Sequence, residues 1–161
     1  MTARPKIVVM TYCRDGDRFL MLRRNKEPFP GYWVAPGGKV EAGEAPWQTA
    51  IREMQEETGL QLVATDLRLR GVITETSDRA DWQWLIFAFL AERFEGTLTA
   101  HCPEGELAWW TAAEIAELPI PEADAVFTPH LLDPAKPVYQ GCFRYDHDLR
   151  LAEVLDPAAT T

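Results

Sequence analysis

Apolar residues recur in short stretches that predict a series of strands interrupted by three helices. Residues 7–13 are apolar and β-prone, Arg14-Asp15-Gly16-Asp17 is a turn, and residues 18–24 return as a second strand, which predicts a hairpin. Residues 25–31, with Pro28, Pro30 and Gly31, read as a loop, residues 32–34 as a brief strand, and Pro36-Gly37-Gly38 as a turn. A helix follows, with Pro46 at its first position and Gly59 just past its end. Strands are expected near residues 67–76 and 82–94, Glu95-Gly96 is a turn, and residues 107–110 form a short strand. Thr111, with Glu114 three residues later, is a capping box that opens a second helix, and Pro121 opens a third that runs to about Leu132. Residues 138–145 and 149–155 form a closing hairpin across Asp146-His147-Asp148. The order predicts an α+β fold, an α/β/α sandwich whose mixed β-sheet carries helices on both faces. Residues 1–155 are expected to form a single domain, and 156–161 a flexible C-terminal tail.

Composition narrows the class. A chain of 161 residues, 47% hydrophobic and 25% charged, is an ordinary globular length and balance. No apolar stretch approaches the ~20 residues that span a bilayer, and 7–10 is too short for a signal-peptide core. No membrane association is expected, and the location is expected to be cytoplasmic. Cys13, Cys102 and Cys142 are odd in number and widely spaced, which argues against a disulfide framework or a zinc site. His101, His130 and His147 show no metal-ligand spacing. A formal net charge of −9 speaks against a nucleic-acid polymer as partner.

The predicted first helix concentrates much of that negative charge. At 100° per residue, Glu53, Glu56 and Glu57 fall within about 100° of arc on one face. Ala50, Ile51 and Met54 form another face suited to a core. Three neighbouring carboxylates repel one another, and a hard cation bound by oxygen ligands, Mg²⁺ or Mn²⁺, removes that cost. The glycines at 37 and 38 are expected to adopt a backbone conformation closed to other residues and to leave room for phosphate or metal.

From Gly38 to Leu60 the chain reads GKVEAGEAPWQTAIREMQEETGL, which resembles the Nudix box at every fixed position: Gly38, Glu44, Arg52, Glu53, Met54, Glu56, Glu57, Gly59 and Leu60. The resemblance implies a hydrolase of diphosphate linkages that uses Mg²⁺ or Mn²⁺. It makes Glu53, Glu56 and Glu57 catalytic metal ligands, joined by the carbonyl of Gly38. Glu44 and Arg52 would tie the loop to the helix and orient those carboxylates. The family often draws a further Glu from a loop before a late strand, as metal ligand or base. Glu104 stands at that place, and Glu106 is its rival. Arg23, at a strand end, is a candidate phosphate contact.

Subfamily signals point in one direction. Glu75-Thr76-Ser77-Asp78 lacks the Pro of ADP-ribose hydrolases and the Tyr of dinucleoside polyphosphate hydrolases, and the upstream motif of the coenzyme A group is missing. The rest resembles the MutT-like group that sanitises oxidised purine nucleoside triphosphates, through residues 33–40, 118–132 and the closing hairpin. That resemblance implies a base pocket formed by Trp33, Asp124 and Phe127, with Glu122 beside them. Two departures stand out: eukaryotic members carry Asn where this chain has Val34, and one of two adjacent acids is Ala123. Trp82 and Trp84 alternate on one strand face and read as core. The expected activity is hydrolysis of a nucleoside triphosphate, 8-oxo-dGTP among the candidates, to monophosphate and pyrophosphate. Alternatives are another nucleoside diphosphate derivative or capped RNA as substrate, or a ligand-sensing module without turnover. The partner is a small-molecule nucleotide, and the protein a monomer or homodimer.

Overall fold

Strand β1 (Lys6–Asp15) is buried on both faces, and the rest of the architecture is arranged around it. The structure is a computed structural model that describes residues 4–157, so residues 158–161 of the expected tail lie outside the described residues. β1 pairs antiparallel with β4 (Gly37–Lys39) along one edge and parallel with β6 (Gln83–Ala91) along the other. The expected hairpin with β2 (Arg18–Arg24) is confined to Arg14↔Phe19 and Asp15↔Arg18. A strand covered on both faces takes a central position and pairs along both edges. Because β4 occupies the edge that a full hairpin needs, β2 turns away and pairs instead with β3 (Trp33–Val34) and, over its whole length, with β7 (Gly105–Thr111).

Among the described residues the strand order is β3-β2-β1-β6-β5-β8-β9, with β5 (Leu67–Ser77), β8 (Tyr139–Tyr145) and β9 (Leu151–Leu155) completing the path. The β1–β6 and β5–β8 pairs are parallel and the others antiparallel, so the sheet is mixed as expected. Alternation along the central strands separates two cores. On one face Val9 and Phe89 pack with Ala50 of α1 (Pro46–Thr58). On the other, Met10, Tyr12, Ala88 and Leu90 pack with Phe127 and Leu131 of α3 (Glu122–Leu132). Helices therefore cover both faces. Helix α2 (Ala112–Ile115) is a single turn, opened by the expected capping box: Thr111 N–H donates to Glu114 at 2.8 Å and Glu114 N–H to the Thr111 hydroxyl at 3.2 Å.

Two backbone details position the cleft described below. A bulge between Leu69 and Gly71 re-aims Arg70 out of the β5–β6 ladder. Its buried guanidinium donates to the carbonyls of Leu131 (3.1 Å), Asp133 (2.6 Å) and Lys136 (2.9 Å), which fastens the C-terminal end of α3. The second detail corrects the expected Pro36-Gly37-Gly38 turn, since Gly37 and Gly38 belong to strand β4. Neither has a positive φ, so their need for glycine is not conformational. A Cβ on Gly37 would lie 1.9 Å from the Val9 carbonyl oxygen of the neighbouring strand. Backbone cannot yield as a side chain can, so Gly37→Ala should lower unfolding free energy by about 3 kcal/mol, the upper end for overpacking. Denaturant melts of the two proteins measure this, and an unchanged midpoint would show that β4 tolerates a Cβ.

Candidate active site

Helix α1 is delimited by local chemistry. Pro46 begins it, and the Gln48 side chain accepts from the Ala45 N–H at 2.8 Å. Gly59, at φ 79°, ends it in the left-handed conformation with its N–H on the Gln55 carbonyl. The buried stripe runs through Ala50, Met54 and Glu57, spaced by four and three residues, so Glu57 is carried inward with the core-facing residues. The three carboxylates are therefore graded rather than equivalent. Glu57 is 8% exposed, the Glu53 side chain 16% and the Glu56 side chain 58%.

Arg52 organises this face. Its guanidinium grips Glu44 through two bonds of 2.9 Å, donates to Glu53 at 3.0 Å and Glu56 at 3.3 Å, and reaches the Lys39 carbonyl at 3.2 Å. Thr49 and the Glu41 N–H also donate to Glu44. Arg52 therefore ties the loop before α1 to the helix. Its hydrogen bonds hold the Glu44 carboxyl down at about 2, with the Glu41 N–H adding to the effect. Glu53 moves the other way because burial outweighs Arg52. Burial, then the charge of Glu53, pushes Glu57 up to about 8, although Glu57 accepts the Gly37 N–H at 3.3 Å. Buried carboxylates pushed upward in this way are short of positive charge.

Gly38 lies against the same group. A Cβ there would stand 2.2 Å from Oε1 of Glu53, so only glycine lets that carboxylate rest on the β4 backbone. From the loop before β7, Glu104 faces the same region: it lines the cleft beside Gly37, Gly38 and Glu57 and raises the charge burden on both Glu53 and Glu57. Lys26 pairs with it at 3.0 Å. Glu106 lies outside the cleft, exposed and 3.8 Å from Arg23 across the β2–β7 pair.

Among the described residues, no three carboxylate, thiol or imidazole groups are already gathered as a cation cage. The donor set nevertheless fits a hard divalent cation. Mg²⁺ is held by one or two carboxylates with water and substrate phosphate completing its shell, rather than by an all-protein cage. Glu53 against the Gly38 backbone, Glu57 on the Gly37 N–H and Glu104 lining the same cleft have that chemistry.

The cleft is about 250 Å³, near the lower end of small-molecule sites, which run from roughly 300 to 1,000 Å³. Beyond Glu57 of α1 it is bordered by Arg24, Glu75, Asp124, Phe29, Trp82 and Trp84. Asp124 faces it, as the sequence led one to expect. Four other expected side chains do not. Trp33 is buried, with its ring edge-to-face on Trp110 at 5.4 Å, while its neighbour Val34 lines the cleft. Successive residues of a strand point to opposite sides, so Val34 and Trp33 cannot both face a ligand. The same alternation on β2 turns Leu22 and Arg24 toward the cleft and leaves Arg23 on Glu106. Phe127 is fully buried against Phe143, and the exposed Glu122 accepts the Leu151 N–H at 3.3 Å.

Sequence reasoning missed Arg24, Glu75 and Phe29. Trp82 is buried in the core with Trp84 packed against it, as expected, and both also border the cleft. Strand parity was the available signal for Arg24; no local signal marks Glu75 or Phe29. Cys13 is buried, Cys102 and Cys142 half-buried, and all three are free. No helix among the described residues is long and apolar enough to cross a membrane.

Comparison with known proteins agrees with this geometry. The NUDIX domain family matches residues 3–131. An uncharacterized Nudix hydrolase of Bacillus subtilis, YvcI, is 34% identical over 148 residues, covering 88% of each chain. The dihydroneopterin triphosphate diphosphatase of Escherichia coli is 33% identical over 125 residues, 78% of this chain and 72% of that one. Among solved structures, the mutator MutT protein of Bacillus halodurans superposes with a TM-score of 0.83 at 33% identity, over 95% of this chain and 98% of the other. Enzymes of this family generally use a divalent metal. The mixed sheet with α1 and α3 on its two faces is thus an α+β Nudix fold, and this chain belongs to the NUDIX domain family as a hydrolase of pyrophosphate-bearing substrates.

Proposed function

We propose that the protein is a Mg²⁺-dependent nucleoside triphosphate diphosphatase that releases a monophosphate and pyrophosphate. The observation that carries this reading is the juxtaposition, in one cleft, of Glu57, which lies beside Glu53 on α1, with the aromatic side chains of Trp82, Trp84 and Phe29. Glu53, Glu57 and the Gly38 carbonyl would hold the cation, with Glu56 at the exposed margin. When bound, the cation screens phosphate charge and supplies Lewis-acid activation. Glu104, paired with Lys26, would take the proton from the attacking water. Arg24 lines the cleft together with Glu57 and Asp124 and would steady the phosphate chain of a bound substrate. Arg52 and Glu44 keep Glu53 in place.

Val34 lines the cleft and offers no hydrogen bond, so discrimination between oxidised and normal guanine should be modest, below about 10-fold, since one hydrogen bond is worth roughly 0.5–1.5 kcal/mol. The test is kcat/KM with Mg²⁺ over dGTP, 8-oxo-dGTP, dCTP and dihydroneopterin triphosphate, with both products identified. The last substrate belongs to the panel because the Escherichia coli relative is named for it. Release of orthophosphate rather than pyrophosphate, or no release from any nucleotide, would refute the reading.

A further inference from the structure

Asn25 stands at the corner where β2 passes into the loop of residues 25–31, and the chain is fixed on both sides of it. Before it, the β2–β7 ladder runs to Arg24↔Gly105. After it, the loop closes on itself: the Gly31 N–H donates to the Arg24 carbonyl at 2.7 Å, the Arg24 N–H to the Tyr32 carbonyl at 2.8 Å, and the Arg24 guanidinium to the Pro28 carbonyl at 2.7 Å. Across from this corner lies a two-residue turn, Pro103-Glu104, closed by the Gly105 N–H on the Cys102 carbonyl at 3.3 Å. Gly105, at φ 151°, lets the turn begin directly against β2, because a Cβ there would overlap the Arg23 carbonyl oxygen. Asn25 reaches the two peptide groups that flank the Glu104 Cα. Its N–H donates to the Glu104 carbonyl and its side-chain amide to the Pro103 carbonyl, each at 3.2 Å. The Glu104 carboxylate itself has an exposed ion pair with Lys26, and a pair of that kind fixes a position weakly. Glu53 and Glu57 repel the same carboxylate, so its place on the cleft depends on how firmly its backbone is held.

We propose that Asn25 is a positioning residue for the reaction: its two donors hold the peptide groups on either side of Glu104 and so aim the Glu104 carboxylate at the water it deprotonates. The inference rests on the role given to Glu104 above and assigns the residue that keeps Glu104 in that role. A single bond would leave the turn free to swing about it. Two bonds, to carbonyls one residue apart, fix both the place of the Glu104 Cα and the direction in which its side chain leaves. A general base must stand within hydrogen-bond reach of the proton it takes, so a small displacement of this turn is costly. Asparagine suits the position because its amide donates without carrying charge into an acidic cleft. An aspartate of the same shape would turn an acceptor toward the Pro103 carbonyl and add a further negative charge. Asn25 does not itself line the cleft, so its effect on the reaction passes through Glu104.

The test is a double-mutant cycle read with Mg²⁺ and whichever triphosphate is turned over best. Asn25→Ala should lower kcat about 10-fold, between the loss of one neutral hydrogen bond and the ~10²-fold that a misplaced reacting group can cost, with KM changed by less than about twofold. Asn25→Asp, which keeps the shape but does not donate, should fall at least as far. In the Glu104→Gln background, Asn25→Ala should cost less than about twofold more, because the group it positions is gone. Amide hydrogen exchange gives a readout apart from activity. In Asn25→Ala the Gly105 N–H should exchange about 10-fold faster or more, while amides in the middle of the β2–β7 ladder keep their protection, and thermal melts establish that each variant is folded. Losses that multiply in full in the double variant, a change in KM alone, an unchanged Gly105 exchange rate or a normal Asn25→Asp enzyme would overturn the positioning role while the hydrolase reading stands. Normal turnover by Glu104→Gln would overturn the role of Glu104 and this inference with it. No pyrophosphate release from any triphosphate would overturn the hydrolase reading and, through it, both.

Discussion

Glu57→Gln is expected to lower kcat by about 10²-fold or more with Mg²⁺ present, the loss typical of removing a principal charge-stabilising group. Glu57 is the most buried carboxylate of α1 and lies beside Glu53, so it contributes charge where water contributes least screening. The amide keeps the shape and still accepts the Gly37 N–H, so the fold should survive. Stability without metal gives a second, independent readout. In the folded protein this carboxyl holds its proton up to about 8, against roughly 4.5 in the unfolded chain, so the folded state binds the extra proton between those values. Its contribution to stability is present below pH 4.5 and is lost as pH rises through 8. The metal-free variant should therefore melt increasingly above the natural protein from pH 5 to pH 8.5, and added Mg²⁺ should narrow the gap. Near-normal turnover of Glu57→Gln would remove Glu57 from the metal site, and a melting difference that ignores pH would remove the charge argument.

Glu104→Gln is expected to cost about 10²-fold in kcat, within the range of general acid–base catalysis, whereas Glu106→Gln should stay within twofold. The two residues sit on either side of Gly105, yet only Glu104 faces Glu53 and Glu57 across the cleft. The loop is pinned there, because the Asn25 N–H donates to the Glu104 carbonyl at 3.2 Å and the Asn25 amide to the Pro103 carbonyl at 3.2 Å. Glu106 is already in the β2–β7 ladder opposite Arg23, and its exposed ion pair is worth little. Steady-state rates of both variants decide the matter: a reversed order would move the role to Glu106, and two normal enzymes would take this loop out of the mechanism.

The reach of the sequence is clearest in α1. Its Pro46 start, its Gly59 stop, the Ala50–Met54 core face and the neighbouring carboxylates follow from spacing within one segment, and the structure has them at those positions. Strand parity was legible too: once Val34 faces the cleft, Trp33 cannot, and once Leu22 does, Arg24 rather than Arg23 follows. Tertiary structure alone decided that β1 takes β4 and β6 as partners instead of a full hairpin with β2, and that Glu104 rather than Glu106 faces α1. It also placed Glu75 of β5 and Asp124 of α3 on one cleft. Helical neighbours are set by hydrogen bonds four residues apart, so the sequence of that segment determines them locally. Which strands lie side by side depends on how apolar faces from distant segments are buried together, and no single segment carries that information.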